Sequence, residues 1–399
     1  MSNKIYFRSN SSFKNRLSRL FWFVIAMTIR PFVTIKKKQL ICWSYYGTQY
    51  SCNPRHLTEH ILDNHIDDFQ IYWVLSKMVK TSGIDKRVHI VHPHSLKYIL
   101  KLYSSEFVIT NCRTNQYVDF FKKKRQQKYI MTWHGATPLK KIEKDAGDDL
   151  PVKYQKNAIR DSKMCDLMLS NCKYFSDIIR RAFWYNGEIL ERGIPRNDIY
   201  FDINKYSTLI KKIFKDNHIL ENTLILLYAP TFRNDNCSSH FKINWNSMAC
   251  ALEEKTRKPV RILLRLHPNS IGVVNVNELL ADPNVIDMCS YPDMQELLLV
   301  SDMLITDYSS TMFEMGLQRK PCILYTPDLT TYDRDFYFDI HSLPFPLAET
   351  EDELRKLIVD FDNDKYQSQL VEFNDGHLKI YDSGHASEAV CEWMKNKSV

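Results

Sequence analysis

YIMTWHGATPLKK, residues Tyr129 to Lys141, begins as an apolar run and ends in a turn followed by two lysines. Trp133-His134-Gly135 stands at the mouth of the run, and Thr137-Pro138 turns the chain away. Short apolar runs closed by turn residues fit strands buried on both faces, as in parallel sheets. Ligands of open parallel sheets gather just past the carboxyl ends of strands. A histidine at that place, beside a glycine that permits close backbone approach, is read as facing a ligand. A histidine satisfied by a strand-end hydrogen bond is the plainer alternative.

The same pattern extends in both directions. Strands are expected at Gln39–Ser44, Gln70–Leu75, Val88–Val91, Phe107–Thr110, Lys128–Thr132, Leu167–Ser170 and Glu188–Leu190. Helical runs at Asn53–Leu62, Leu96–Tyr103 and Phe175–Trp184 lie among them, the first with proline in its opening turn. After a charged connector near 200–217 the alternation restarts. Strands follow at Leu224–Tyr228, Val260–Leu266, Met303–Thr306 and Cys322–Tyr325, with helices near Trp245–Glu254 and up to Leu297–Ser301. Buried runs alternating with helices predict an α/β chain of two doubly wound parallel-sheet domains facing a cleft. The expected division is 1–38 as a basic amphipathic membrane-associating segment, 39–205 as an acceptor-side domain and 206–385 as a donor-binding domain. A last helix at Ala386–Lys395, within 386–399, is expected to cross back over the first domain.

Composition narrows the function classes. The 399 residues are 44% hydrophobic and 25% charged, which is globular. There are ten glycines, and neither G-x-G-x-x-G nor the P-loop pattern occurs, so phosphate is not held by those loops. The ten cysteines are scattered without a C-x-x-C, which favours reduced, buried thiols and cytosolic exposure. The formal charge is +7, yet residues 1–40 alone hold nine Lys and Arg, among them Lys4, Arg8, Arg19 and Arg30, with no Asp or Glu. The remainder is therefore slightly acidic, and a nucleic-acid face is not indicated. Leu20–Ile29, bracketed by Arg19 and Arg30, spans about 15 Å as a helix against roughly 30 Å of hydrocarbon. An interfacial anchor drawn to an anionic membrane surface fits better than a span.

Four stretches stand just past strand ends. They are Trp133–Pro138, Tyr228-Ala229-Pro230-Thr231-Phe232-Arg233, Leu264-Arg265-Leu266-His267-Pro268 and Ile305-Thr306-Asp307-Tyr308-Ser309-Ser310-Thr311. The last leads into a short helix whose amides and hydroxyls form an anion site. Thr311-x-x-Glu314 also reads as a capping box, and the Asp307 carboxylate suits a ribose or glycerol hydroxyl. Arg233 is placed to fork onto a phosphate, or to lie at the surface beside Asn234-Asp235-Asn236. His267 reads as catalytic or as structural.

Metal signals are weaker. His56 and His60 have helical ligand spacing but no third ligand. Asp333-x-Asp335 and Asp360-x-Asp362-x-Asp364 match D-x-D without following a strand.

In this order the four stretches resemble the CDP-glycerol glycerophosphotransferase family of teichoic-acid and capsule synthesis, over residues 40–395. The resemblance rests on Trp133-His134-Gly135 with Thr137–Lys140, "YAPTFR" at Tyr228–Arg233, "RLHP" at Arg265–Pro268 and "ITDYSS" at Ile305–Ser310. "RKPCILYTPDL" at Arg319–Leu329, "FYFDI" at Phe336–Ile340 and the early "SYYGTQYSCNP" at Ser44–Pro54 extend it. Each motif is weak alone; together and in register they are specific.

The resemblance implies a GT-B fold, a peripheral position on the cytoplasmic face of the membrane, and transfer of a polyol phosphate from a CDP donor. It implies no metal and no other cofactor. It makes His134 the base for the acceptor hydroxyl and His267 an aid at the donor pyrophosphate. Thr231, Arg233, Arg265, Asp307, Ser309, Ser310 and Thr311 fall to the donor and its phosphates, Gly135 and Lys140 to the acceptor side. The partners are CDP-glycerol, a polyprenyl-diphosphate-linked saccharide acceptor and the membrane surface. Ala136 is an insertion in the family's W-H-G-T-P, and Glu314 replaces an aspartate, departures that bear on substrate choice.

CDP-ribitol as donor is the nearest alternative. A UDP-sugar glycosyltransferase or epimerase and a silent binding protein on the same fold are further ones. The absence of a further N-terminal domain leans toward a priming or capsule-type enzyme.

Overall fold

The computed structural model describes residues 13–233, 243–267, 270, 276–332 and 334–398. Asp333, Pro268, Asn234-Asp235-Asn236, Lys4 and Arg8, named above, lie outside the described residues. The chain forms two compact units: Met1–Gly135 with Ile142–Asp198 and Ile380–Val399, and Ala136–Lys141 with Ile199–Lys379. The breaks fall a few residues before the expected 205/206 and 385/386 positions.

The first unit is a parallel sheet of strands β1 (Lys36–Trp43), β2 (Gln70–Val74), β3 (His89–Val91), β4 (Ser105–Thr110), β5 (Lys128–Met131), β6 (Leu167–Leu169) and β7 (Glu188–Leu190). Their order is β3-β2-β1-β4-β5-β6-β7. β1 is the pivot, pairing Leu40 with Ile71 on one side and with Phe107 on the other. The sheet thus reverses direction between β1 and β4, which makes their carboxyl ends the switch point of the fold. β1 starts at Lys36, earlier than the apolar pattern suggests. Lys38 adopts a positive φ of 59° beside an irregular register, and its N–H donates to Glu106 at 2.6 Å.

Helices α1 (Phe13–Ile29), α2 (Cys52–Asn64), α3 (Leu96–Ser104), α4 (Val152–Met164) and α5 (Lys173–Ala182) belong to this unit. Ser95 caps α3 by accepting from the Tyr98 N–H, the usual way of satisfying a first-turn donor. α1 buries Ala26 but exposes Leu17, Leu20, Phe21 and Val24, a stripe at helical spacing. No helix among the described residues is long and apolar enough to cross a membrane.

The second unit repeats the plan with β8 (Leu224–Tyr228), β9 (Val260–Leu264), β10 (Val285–Asp287), β11 (Met303–Thr306), β12 (Cys322–Tyr325) and β13 (Leu347–Ala348). The order is β10-β9-β8-β11-β12-β13, all parallel, with its switch point between β8 and β11. Its helices are α6 (Ile203–Asp216), α7 (Trp245–Thr256), α8 (Val276–Leu279), α9 (Met294–Val300), α10 (Thr311–Leu317), α11 (Glu351–Val359) and α12 (Asn363–Phe373). Leu226, Ile262, Leu264, Ile305 and Ile323 from the strands pack with Trp245, Met248 and Leu252 of α7. Each such side chain contributes about 1.5–3 kcal/mol through burial. The capping box that forms in this unit joins Thr350 and Glu353 at α11. At α10 the cap is Ser310, without a side-chain cap bond, so Thr311 and Glu314 do not make the expected box.

The chain then returns to the first unit, where α13 (Ala386–Lys397) packs on α2.

Candidate active site

In the first unit the turns after β1, β4 and β5 carry Tyr45, Asn111 and His134 to the carboxyl edge of the sheet, the first two at its switch point and His134 one strand beyond it. The His134 Nδ1 lies 2.9 Å from the Asn111 carbonyl oxygen. A carbonyl only accepts, so Nδ1 carries the proton and Nε2 presents its lone pair. The ring stacks obliquely on Trp133 at 4.5 Å between centroids and meets Tyr45 edge-on at 6.0 Å. One edge of the ring stays open to solvent. Protein packed around the rest pushes its pKa below the usual 6.5; the Asn111 bond opposes this shift and the nearby Arg196 guanidinium adds to it. His134 is therefore neutral and able to accept a proton at neutral pH.

The turn that presents His134 is strained. Trp133 has φ of 55°, a left-handed conformation costly for an aromatic residue. Buried Asn53 holds it, with Nδ2 donating to the carbonyls of Thr132 at 3.1 Å and Trp133 at 3.0 Å, and Oδ1 accepting from the Arg196 N–H at 3.0 Å. Arg196 Nη1 donates to the His134 carbonyl at 2.7 Å. Gly135 stands in open surroundings. A Cβ there would meet only the Trp133 indole, at 3.6 Å, an ordinary contact. The protein's own packing therefore does not require glycine at this position.

In the second unit, Thr231 and Arg233 follow β8 while Asp307 and Tyr308 follow β11, again at the switch point. Here the structure departs from the surface alternative for Arg233. Arg233 is buried and its guanidinium is held by protein. Nη2 pairs with Asp307 at 2.8 Å, Nε with Asp328 at 2.6 Å, and Nη1 donates to the Thr231 carbonyl at 2.9 Å and hydroxyl at 2.8 Å. Asp307 also accepts from the N–H groups of Thr231, at 2.9 and 3.0 Å, and Tyr308, at 2.6 Å. Tyr308 donates its hydroxyl to Asp328 at 3.0 Å and stacks on Tyr332 at 3.7 Å. The Arg233 guanidinium and the Asp307 carboxylate are thus both engaged by protein groups. Together with Asp328 they lock the two strand-end turns to each other.

Around this lock stand the remaining residues. Ser309 and Thr311 share a hydroxyl–hydroxyl bond of 2.9 Å, and they and Ser310 are partly exposed ahead of α10. Arg265 donates to the carbonyls of Met288, at 2.9 Å, and Cys289, tying β9 to the turn after β10. His267 has its pKa lowered to about 4, by desolvation first and by the charges of Lys140 and Arg265 next. It is a neutral hydrogen-bonding group at physiological pH. The 136–141 segment belongs to the second unit: Leu139 accepts from the Tyr337 N–H at 2.8 Å, and Lys141 N–H donates to Asp335 at 2.9 Å. The Lys140 ammonium lies over the Tyr332 ring at 5.3 Å. It also lowers the pKa of His267 by its charge.

A family model for CDP-Glycerol:Poly(glycerophosphate) glycerophosphotransferase matches residues 25–396. The chain belongs to this family. It is 31% identical to the teichoic acid glycerol-phosphate transferase of Staphylococcus aureus, over 95% of this chain and 98% of that protein. It is also 31% identical to the teichoic acid poly(glycerol phosphate) polymerase of Bacillus subtilis, over 89% of this chain. The chain spans about half, 48%, of that second relative. A solved structure of the wall teichoic acid polymerase TagF, a histidine-to-asparagine variant soaked with CDPG, superposes with a TM-score of 0.80 at 27% identity. The match covers 96% of this chain and 93% of that one. The two parallel-sheet domains of this glycerophosphotransferase-family chain are accordingly GT-B-like.

Asn53, Asn111, Arg196 and Asp328 are the site residues of this family member that the sequence reading does not single out. Asn53 sits inside the quoted "SCNP" and Asp328 inside "TPDL". Asn111 and Asp328 share a signal, a polar residue within three positions of the end of an apolar strand.

Proposed function

We propose that the protein transfers glycerol phosphate from CDP-glycerol to a hydroxyl of a lipid-linked saccharide or growing polyol-phosphate chain, releasing CMP. The observation that carries this reading is the His134 tautomer: Nδ1–H is held by the Asn111 carbonyl, so Nε2 is the free base. The acceptor hydroxyl gives its proton to Nε2 as its oxygen attacks the glycerol-bearing phosphorus. The bond from that phosphorus to the bridging oxygen breaks, and CMP leaves with the electron pair. Fixed donors are needed where negative charge collects on the leaving phosphate. Lys140, the hydroxyls of Ser309, Ser310 and Thr311, and a hydrogen bond from His267 supply them in this reading. Arg233, Asp307 and Thr231 position these groups, and Arg265 anchors the His267 strand end.

A neutral His267 suits this role in the resting enzyme. Bringing a diphosphate beside it raises its proton affinity, so donor binding itself strengthens the hydrogen bond.

The exposed apolar stripe of α1, with Arg19 alongside, supports docking on an anionic membrane, where a polyprenyl-diphosphate-linked acceptor is presented from the cytoplasmic face. Arg30 does not take part in this. Its guanidinium donates to the carbonyls of Lys122 at 2.9 Å and Lys123 at 3.1 Å. Co-sedimentation with vesicles containing anionic lipid is expected for the intact chain and reduced for Leu20→Ser with Phe21→Ser. Equal sedimentation of the two would remove this part.

Thermal unfolding with CDP-glycerol, CDP-ribitol and CDP tests the donor. A ligand at 100 times its dissociation constant stabilises by about 2.7 kcal/mol. CDP-glycerol is expected to exceed both other nucleotides. A larger shift with CDP-ribitol would reassign the donor.

A further inference from the structure

We infer that His60, His65, Glu388 and Cys391 form a structural binding site for one zinc-type divalent cation, clamping the C-terminal helix α13 onto α2. This rests on the first unit alone and is independent of the transferase reading.

Three ligand chemistries converge although more than 300 residues separate them. Among the described residues, ligand atoms of His60, His65 and Cys391 lie within 4.8 Å of one another. Glu388 stands one turn before Cys391 on α13. Its Oε2 is 2.9 Å from His60 Nε2 and 2.7 Å from His65 Nε2. Two imidazole nitrogens aimed at one carboxylate oxygen outline a centre, and the buried Cys391 thiol is within 4.8 Å of a ring nitrogen of each histidine. Tetrahedral zinc takes N and O ligands at about 2.0–2.2 Å and S at about 2.3 Å, which sets its ligands roughly 3.3–3.8 Å apart. The carboxylate has to withdraw by under about 1 Å and the other groups to close by about as much, adjustments within side-chain rotation.

The surroundings complete the case. A histidine that binds metal through Nε2 carries its proton on Nδ1 and needs an outer acceptor for it. Asp68 Oδ2 lies 3.7 Å from His65 Nδ1. The Asn64 amide nitrogen lies 3.4 Å from His60 Nδ1 and donates to the His60 carbonyl at 3.1 Å, fixing the end of α2 beside the site. Lys395, now 3.1 Å from His65 Nδ1, already pairs with Asp68 at 2.8 Å and has that carboxylate to hold it. Charge balances as well: a thiolate and a carboxylate neutralise a dication, and two neutral imidazoles complete the set. Metal entry releases the thiol proton, while each imidazole proton moves from Nε2 to Nδ1.

The sequence spacing pairs His60 with His56. The structure replaces His56 with His65, which lies past the end of α2 and so escapes an i, i+4 search.

The test uses the full chain without an affinity tag, stripped by a chelator and titrated with Zn²⁺ against a competing dye, then with Co²⁺ for its spectrum. One zinc ion per chain is expected, with a thiolate-to-cobalt charge-transfer band that Cys391→Ser abolishes. Asp68→Asn, outside the ligand set, is expected to weaken binding about 10–100-fold, and His65→Gln or Cys391→Ser by more. Circular dichroism of the metal-free variants establishes that each is folded. Substoichiometric binding, a cobalt spectrum without the sulfur band, or an affinity unchanged in folded His65→Gln and Cys391→Ser overturns the proposal.

Discussion

The His134 turn of the first unit follows β5, one strand beyond the switch point, and the Arg233 turn of the second follows the pivot strand β8 of a sheet of the same winding; the two are held by different means. Around His134 the ring itself is held by a neutral group, the Asn111 carbonyl, while Asn53 and the Arg196 guanidinium hold backbone carbonyls of the turn. The ring is left with one unshared nitrogen and an open edge. Around Arg233 the supports are charged, with one guanidinium between two carboxylates, all buried. A neutral partner on the imidazole leaves the ring without an ion pair, which a base requires. An ionic scaffold uses up the charges that make it, so its members serve as a frame.

The largest effect that would break this comparison is on stability. Removing one partner from a buried ion pair leaves an uncompensated charge and costs about 3–5 kcal/mol. Asp328→Asn and Asp307→Asn are expected to lose about that much in urea unfolding. Full stability with lost nucleotide affinity would make Asp307 a ligand residue after all. The Asn53 support should cost less. Asn53→Ala leaves buried backbone carbonyls unsatisfied, for a loss of about 1–3 kcal/mol. Its kcat is expected to fall with little change in KM, since the base is misaimed and not removed.

A smaller effect concerns acid. His267 is held neutral in the folded state, with a pKa of about 4 against 6.5 when unfolded. Between those values the unfolded chain binds more protons, so stability falls as pH drops through the window. Chemical unfolding at several pH values is expected to show a shallower decline for His267→Gln. Equal slopes would place His267 in an ordinary solvated setting. Gly135→Ala should change least, within about 0.5 kcal/mol, because the added Cβ meets only the Trp133 edge. A rise in the KM for acceptor at unchanged stability would show that substrate uses the space.

Much of the fold is readable from the sequence because a parallel sheet writes buried apolar runs. Leu40–Trp43, Phe107–Thr110 and Leu224–Tyr228 are such runs, and each is a strand. The edge strands Val285–Asp287 and Leu347–Ala348 go unread because they are two or three residues long with little apolar pattern. His134 is readable as a strand-mouth residue. The engagement of Arg233 is not, since its carboxylate partners lie 74 and 95 positions away and only folding brings them together. The surroundings of Lys140 go unread for a related reason. It lies six residues after His134, but the chain passes to the other unit in that interval.

The central claim is that His134 is the base that activates the acceptor, and CMP release from CDP-glycerol in the presence of acceptor tests it directly. With His134→Asn, release is expected to fall about 10²–10⁴-fold while CDP-glycerol still raises the unfolding temperature as in the wild type. The wild-type kcat/KM should keep its acid limb below pH 6.5, the side to which burial moves this histidine. Turnover near the wild-type rate in a folded, nucleotide-binding His134→Asn protein would contradict the account.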